Sequence, residues 1–414
     1  MIFDEVLALD ANDPLARWRD EFELPAQTIY LDGNSLGCLP KAARARAQEV
    51  IAQQWGQDLI KSWNQHGWID LPITVGEKIA RLIGAAPGQT ICCDSISVNL
   101  FKALSAAIRL QQGRPLVLST LDNFPTDLYM VQGLSEQLGV DHVRLKLVEE
   151  NAIEQQLEEH GEHVSVLLLT QVNFRSGRLL DMQRLTRRAH ELGILVVWDL
   201  AHSAGVIPVE LDNCEVDFAV GCTYKYLNGG PGAPGFLYAA SRLHEKLRQP
   251  LTGWMGHQAP FDFAADYQPA AGIVRFLTGT PPVISMSVLD AALGVFEGVE
   301  VQALRDKSVA LSELFIHLGQ QHPSMSQLLP AFPQDSSQRG AQLSYHHPHA
   351  YAICQALIAE GVIADFRAPD ILRLGFSPLY LRFEDIQVSV ERLATILATG
   401  AWRDQPVSHR GKVT

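Results

Sequence analysis

Cysteine is scarce in this chain. Six occur among 414 residues (Cys38, Cys92, Cys93, Cys214, Cys222 and Cys354), and no two form a CxxC pair. That density and scatter exclude a disulfide framework and fit reduced thiols, so a cytoplasmic setting is expected. Long apolar runs are missing too; none reaches the ~18–20 residues that a membrane span needs. The opening MIFDEVLALDANDPLARW is acidic, with no basic segment ahead of an apolar stretch, which argues against a signal peptide. Positive charge is in deficit, 33 Lys and Arg against 46 Asp and Glu, for a net −13. So acidic a surface disfavours nucleic acid and anionic membranes as partners, but not one small anion in a locally positive pocket. Repeats, low-complexity tracts and obvious linkers are also lacking.

Apolar residues are plentiful, at 47% against 19% charged, so a large core can be buried. The length suits two or three domains. Residues 1–85 read as helices around one loop-like stretch at 30–40, dense in Gly, Asn, Ser and Asp, with a helix starting near Pro40. From 86 to 284, short apolar runs at 116–119, 164–170, 194–198, 218–221 and 236–239 alternate with amphipathic stretches. One of these, RLTRRAHEL, places Leu185, Ala189 and Leu192 on one face. Such a pattern predicts an α/β fold with a mainly parallel sheet flanked by helices. Residues 285–414 order as helices, then strands near 342–345 and 371–374, then a helix from Phe383, which suits a smaller α+β domain.

Active sites of open parallel sheets lie at the carboxyl ends of strands, so reactive residues just beyond the apolar runs are the candidates. Asp199 ends the run ILVVWD and His202 follows three residues later; alone, Asp199 reads equally well as a helix N-cap. The next run leads into Thr223-Tyr224-Lys225-Tyr226 and a glycine-rich loop. A lone lysine usually snorkels to the surface. Here the aromatic neighbours imply a partly desolvated, nucleophilic amine. An aspartate and a lysine at successive strand ends fit pyridoxal 5'-phosphate: the lysine takes the aldehyde and the aspartate keeps the pyridine nitrogen protonated. TICCDSIS, at 90–97, sets small hydroxyl residues between a strand and a helix, a weak phosphate cradle in which Ser95 or Ser97 could equally be a plain cap. In FPTD (124–127), Phe124 could stack on a flat ring and Asp127 bond near its nitrogen; Pro125 also suits an ordinary helix start.

Taken together, LDGNSLG (31–37), FPTD, WDLAHSAG (198–205), YKYLNGGPG (224–232), GWMGH (253–257) and LRLGFSPLY (372–380) resemble the kynureninase family. These are pyridoxal-phosphate hydrolases of fold type I, in the class V aminotransferase group. The resemblance spans most of the chain and implies a homodimer that hydrolyses L-kynurenine to anthranilate and L-alanine. It makes Lys225 the cofactor-bearing lysine, Asp199 the pyridinium partner and Tyr224 a phosphate contact and proton donor. Phe124, Pro125, Thr126 and Asp127 form the ring-contact loop, with Thr170 and His202 beside the ring. Ile96 and Ser97 mark the phosphate turn, where Ile96 offers only its backbone N–H. Trp254 and Thr280 match positions that reach the neighbouring subunit's cofactor phosphate. Arg373 is assigned the substrate carboxylate, which a guanidinium fork suits. Asn34, Ser35 and His257 join it as substrate contacts, and Trp63, Trp68 and Trp254 offer flat surfaces to an aryl ring.

A class V aminotransferase would use the same lysine and aspartate. A cysteine desulfurase would need a loop cysteine late in the chain, whereas Cys354 falls in a helical pattern. A ligand-binding protein of the same fold would have no need of Lys225, Asp199, Tyr224 and Arg373 together. His346, His347 and His349 cluster without carboxylates or cysteines at ligand spacing, and read as a solvated loop rather than a metal site.

Overall fold

The computed structural model describes residues 3–404. Its main sheet has seven strands: β1 (Thr90–Cys92), β2 (Leu116–Thr120), β3 (Arg144–Val148), β4 (Val164–Thr170), β5 (Leu195–Asp199), β6 (Phe218–Gly221) and β7 (Phe236–Ala239). Their spatial order is β1-β7-β6-β5-β4-β2-β3. The run from β3 to β6 is parallel throughout, and β7 alone runs against its neighbours β1 and β6.

Burial explains which strands are legible. All seven residues of β4 are buried, as a continuous VSVLLLT in mid-sheet must be. The edge strand β3, RLKLV, pairs on one side only and buries just Val148, so no apolar run announced it. Helices cover both faces. Met182–Glu191 buries Met182, Leu185, Thr186 and Ala189, a stripe at helical spacing, and Asp181 caps it by accepting from the Arg184 N–H at 3.0 Å. Trp198 is fully buried on β5, with its indole N–H donated to Thr186 Oγ1 at 3.1 Å.

A second, four-stranded antiparallel sheet comprises β8 (Leu329–Pro330), β9 (Gln342–His346), β10 (Asp365–Arg367) and β11 (Ile371–Gly375), ordered β8-β9-β11-β10. Its register sets Arg373 of β11 opposite Ser344 on one side and Asp365 on the other. The N-terminal segment attaches to this part: strand Ile29–Tyr30 pairs with Val362–Ile363, and helix Phe3–Ala11 packs on helix Phe383–Thr399.

The LDGNSLG loop joins the two sheets. Leu31 accepts from the Gly375 N–H at 2.7 Å, and the Gly37 N–H donates to the Tyr224 carbonyl at 2.7 Å. A Cβ on Gly37 would stand 2.4 Å from the Lys225 carbonyl oxygen and 2.7 Å from Asn228 Cα, so only glycine permits this approach. No helix among the described residues is long and apolar enough to cross a membrane.

Candidate active site

The carboxyl ends of β4, β5 and the turn after β6 converge on one buried polar cluster. Asp199, the last residue of β5, is 2% exposed and accepts the Ala201 N–H at 2.6 Å. Asp127, in the first turn of helix Pro125–Leu138, lies against it. Burial, and then the Asp199 charge, holds the Asp127 carboxyl well above the usual carboxylate range; Asp199 is raised too, chiefly by burial. Two buried carboxyls in contact cannot both ionise, so the pair shares one proton. Thr170, ending β4, donates to Asn123 Oδ1, which also accepts the Phe124 N–H at 2.7 Å. Phe124 is 40% exposed and meets Phe174 edge to face at 5.2 Å.

Lys225 is half-buried, with its Nζ 2.9 Å from His202 Nε2. Burial first, and the Lys225 ammonium second, push the His202 imidazole well below its ordinary value. Neutral His202 therefore accepts from Lys225 through Nε2. The Tyr224 phenol is raised by the neighbouring Cys222 and then by burial, which keeps it protonated. Asp199, Asp127, Thr170, His202, Lys225 and Phe124 thus come together at the strand ends. Ile96 and Ser97 open helix Ile96–Leu110 just beyond the end of β1, across Gly235 from the last residue of β6, with Ser95 as N-cap accepting from Val98 N–H at 3.4 Å. Thr126 and Pro125 sit in the same helix start as Asp127.

Arg373 lies in a second group. It is 1% exposed, paired with Asp365, and donates to the Phe174 carbonyl at 2.6 Å and Ser35 Oγ at 2.7 Å. Its Nε is buried without a partner. Arg367 also reaches Ser35 Oγ, at 3.1 Å. Asn34 is fully buried against Gly375 and donates to Gln342 Oε1 at 3.4 Å. Gln342 in turn donates to the Asn173 and Phe174 carbonyls, tying this group to the loop that carries Phe174. Asn123, Gln342, Phe174, Asp32, Asp365 and Arg367 escaped the sequence reading. For Asp365 and Arg367 the only signal is their place on the strand paired with Arg373, which the β10–β11 register alone reveals.

Trp254, His257 and Thr280 stand apart from both groups. Trp254 is 37% exposed and stacks edge to face on Phe261 at 5.8 Å; His257 packs on Tyr267; Thr280 is exposed. Trp68 is buried and donates to Gln54 Oε1 at 2.8 Å, packed against Trp63, so this pair belongs to the core. His346 bonds Asp370 at 3.2 Å, while His349 stacks on Trp402 and His347 meets it edge to face.

Comparison with known proteins gives the same picture from outside. Among solved structures, the apo cysteine desulfurase from Thermococcus onnurineus NA1 superposes with a TM-score of 0.78, at 18% identity, covering 92% of this chain and 98% of that one. A C-DES structure with glycine covalently linked to its PLP cofactor has a TM-score of 0.78, also at 18% identity, covering 91% and 98%. At that identity they establish the fold alone, which is fold type I. The family model for the kynureninase C-terminal domain matches residues 304–393. A kynureninase from Burkholderia pseudomallei (strain 1106a) is 48% identical over 416 residues, covering 99% of each chain. One from Pseudomonas fluorescens is 45% identical over 415 residues, again covering 99% of each. With such identity along its whole length, the chain belongs to the kynureninase family.

Proposed function

We propose that this chain hydrolyses L-kynurenine to anthranilate and L-alanine at the strand-end cluster, with pyridoxal phosphate as cofactor. The observation that carries this reading is the pairing of Lys225, held by neutral His202, with the buried Asp127–Asp199 carboxyl pair at the next strand end.

The residues present fit that cofactor. Asp199 is a buried carboxylate suited to a protonated ring nitrogen, Phe124 offers a part-exposed aromatic face, and the Ile96–Ser97 turn presents backbone N–H groups suited to a phosphate. When bound, the group supplies an electron sink for a carbanion at the substrate α-carbon.

The chain's own side chains do the rest. Lys225 would hold the aldehyde through Nζ, and the same amine would serve as the base for the α-proton. Neutral His202 accepts from Nζ without adding a second charge. The negative charge left on the Asp127–Asp199 pair once it shares one proton would stabilise a cation opposite Asp199 where water is excluded. Tyr224, still protonated beside Lys225, supports the role of proton donor to the carbon left when the Cβ–Cγ bond breaks. One water enters, and its hydroxyl leaves in the anthranilate carboxyl group. Arg373 is the candidate for the substrate α-carboxylate, with Ser35 and Arg367 beside it; its pairing to Asp365 pre-orients the fork, and Nε is the donor still without a partner.

Cys354 is fully buried within helix Ala350–Ala359 and donates to the Ala364 carbonyl at 3.4 Å, which counts against desulfuration. The deciding experiment incubates cofactor-loaded protein with L-kynurenine and no keto acid. Equal amounts of anthranilate and alanine are expected, with 3-hydroxykynurenine run in parallel to rank the two substrates. Turnover that depends on an added keto acid would establish a transaminase instead. The exposure of Trp254 and Thr280 supports a homodimer in which both serve the other subunit's site, and a fully active monomer in sedimentation would overturn it.

A further inference from the structure

Lys102 is the one lysine among the described residues whose side chain is fully buried. It sits in the second turn of helix Ile96–Leu110, and its long side chain runs back toward the helix N-terminus, as helical side chains do. There its Nζ pairs with Asp94 and donates to the Phe276 carbonyl at 2.5 Å. Asp94 immediately precedes the Ser95 cap and holds a left-handed backbone, with φ +43, that a non-glycine residue adopts only under constraint. Its carbonyl accepts the Gly235 N–H at 2.6 Å, and a Cβ on Gly235 would stand 2.9 Å from the Ile96 nitrogen. The turn is therefore clamped from β7 on one side and by Lys102 on the other.

Phe276 leads to the segment carrying Trp254 and Thr280. Thr278 accepts the Met255 N–H at 3.2 Å, and a Cβ on Gly253 would stand 2.2 Å from the Thr278 oxygen, so these two strips of chain are pressed together. One buried ammonium thus ties the proposed phosphate turn to the strip proposed to serve the partner's phosphate.

Resting on the cofactor reading above, we infer that Lys102 is a positioning residue for phosphate recognition: it neutralises Asp94 and fixes the backbone that Ile96 and Ser97 present. A carboxylate one residue ahead of the cap would repel a phosphate dianion through a part-buried medium, and a paired one does not.

Apoprotein titrated with pyridoxal phosphate and with pyridoxal, which lacks the phosphate, separates this role from a merely structural one. Lys102→Met is expected to raise Kd for pyridoxal phosphate at least tenfold, and for pyridoxal less than threefold. Asp94→Asn added to Lys102→Met should recover most of the loss. Equal weakening of both aldehydes, an unmoved ratio, or a double variant no better than Lys102→Met overturns the inference. If Lys102→Met does not fold, Asp94→Asn alone decides. Its unopposed ammonium should tighten pyridoxal phosphate at least threefold relative to pyridoxal, and an unchanged ratio overturns the role. Unaltered apoprotein that binds neither aldehyde would instead overturn the cofactor reading, and this inference with it.

Discussion

Lys225 and His202 show how a single contact sets a residue's chemistry. An imidazole that stays neutral accepts from the lysine rather than repelling it, so Nζ is held in place without a competing carboxylate. Lys225→Ala should therefore lose the visible band of the lysine-bound cofactor, which borohydride bleaches as it fixes the cofactor to the chain, and turnover should fall at least a thousandfold, about 4 kcal/mol of barrier. Mass analysis after borohydride checks the first point: in the unaltered protein the cofactor mass should appear on the peptide containing Lys225. A Lys225→Ala variant that is still labelled and still turns over would move the chemistry elsewhere. Asp199 and Asp127 illustrate a limit of sequence reading at the same scale. Each was a candidate cofactor contact by itself. That they share one proton follows only from the contact between a strand end and a helix start far apart in the chain.

Among the elements, the loop at 31–37 has the largest effect for its length. Its glycines let it lie against the Lys225 turn and β11 at once, so it couples the lysine to the Arg373 group. Gly37→Ala forces backbone to shift, because two of the three nearest atoms to the new methyl, the Lys225 carbonyl oxygen and Asn228 Cα, are main chain, and the third is Asn228 Oδ1. Overpacking of this kind costs about 1–3 kcal/mol. We expect a lower unfolding midpoint in urea together with at least a tenfold loss of kcat. Normal kcat in a destabilised Gly37→Ala protein would show that the loop only supports the fold. The buried strands β4, β5 and β6 were legible because an element enclosed on both faces needs a continuous apolar run. Strand β3 was not, since an edge strand can alternate Arg and Lys with Leu.

Across the whole molecule, the N-terminal loop meets the small sheet through a charged cluster that responds to pH. Asp32, facing Asp365, Arg367, Arg373 and Ser35, is pushed up to about 6 by burial and then by the Asp365 charge. An unfolded aspartate titrates near ~3.9, so between the two values the native state binds more protons than the unfolded chain. The stability Asp32 contributes is complete below about 4 and is lost as pH rises through about 6. Asp32→Asn should remove that decline. Urea unfolding of the variant and its parent at pH 4.5 and pH 7 should show the variant gaining at the higher pH, by at most about 3 kcal/mol. A stability difference that does not change with pH would show that Asp32 titrates as an ordinary surface acid.

The sequence by itself determined the fold class and brought forward the candidate residues of the site. Apolar runs that end in Asp199 and in the Tyr224–Lys225 turn, alternating with amphipathic stretches, predict parallel strands with their carboxyl ends on one edge. Phe124, Asp127 and His202 lie just beyond such strand ends, and Thr170 was added by the resemblance to the kynureninase family. Only the tertiary structure decided what surrounds Arg373. Its partners Ser35 and the Phe174 carbonyl come from two distant segments, Asp365 faces it across the β10–β11 hairpin, and cross-strand register has no local signature. The same holds for Lys102, which reads as one basic residue in an amphipathic helix. Its burial, and its place between Asp94 and Phe276, arise only where a helix is packed beneath a chain segment more than a hundred residues later.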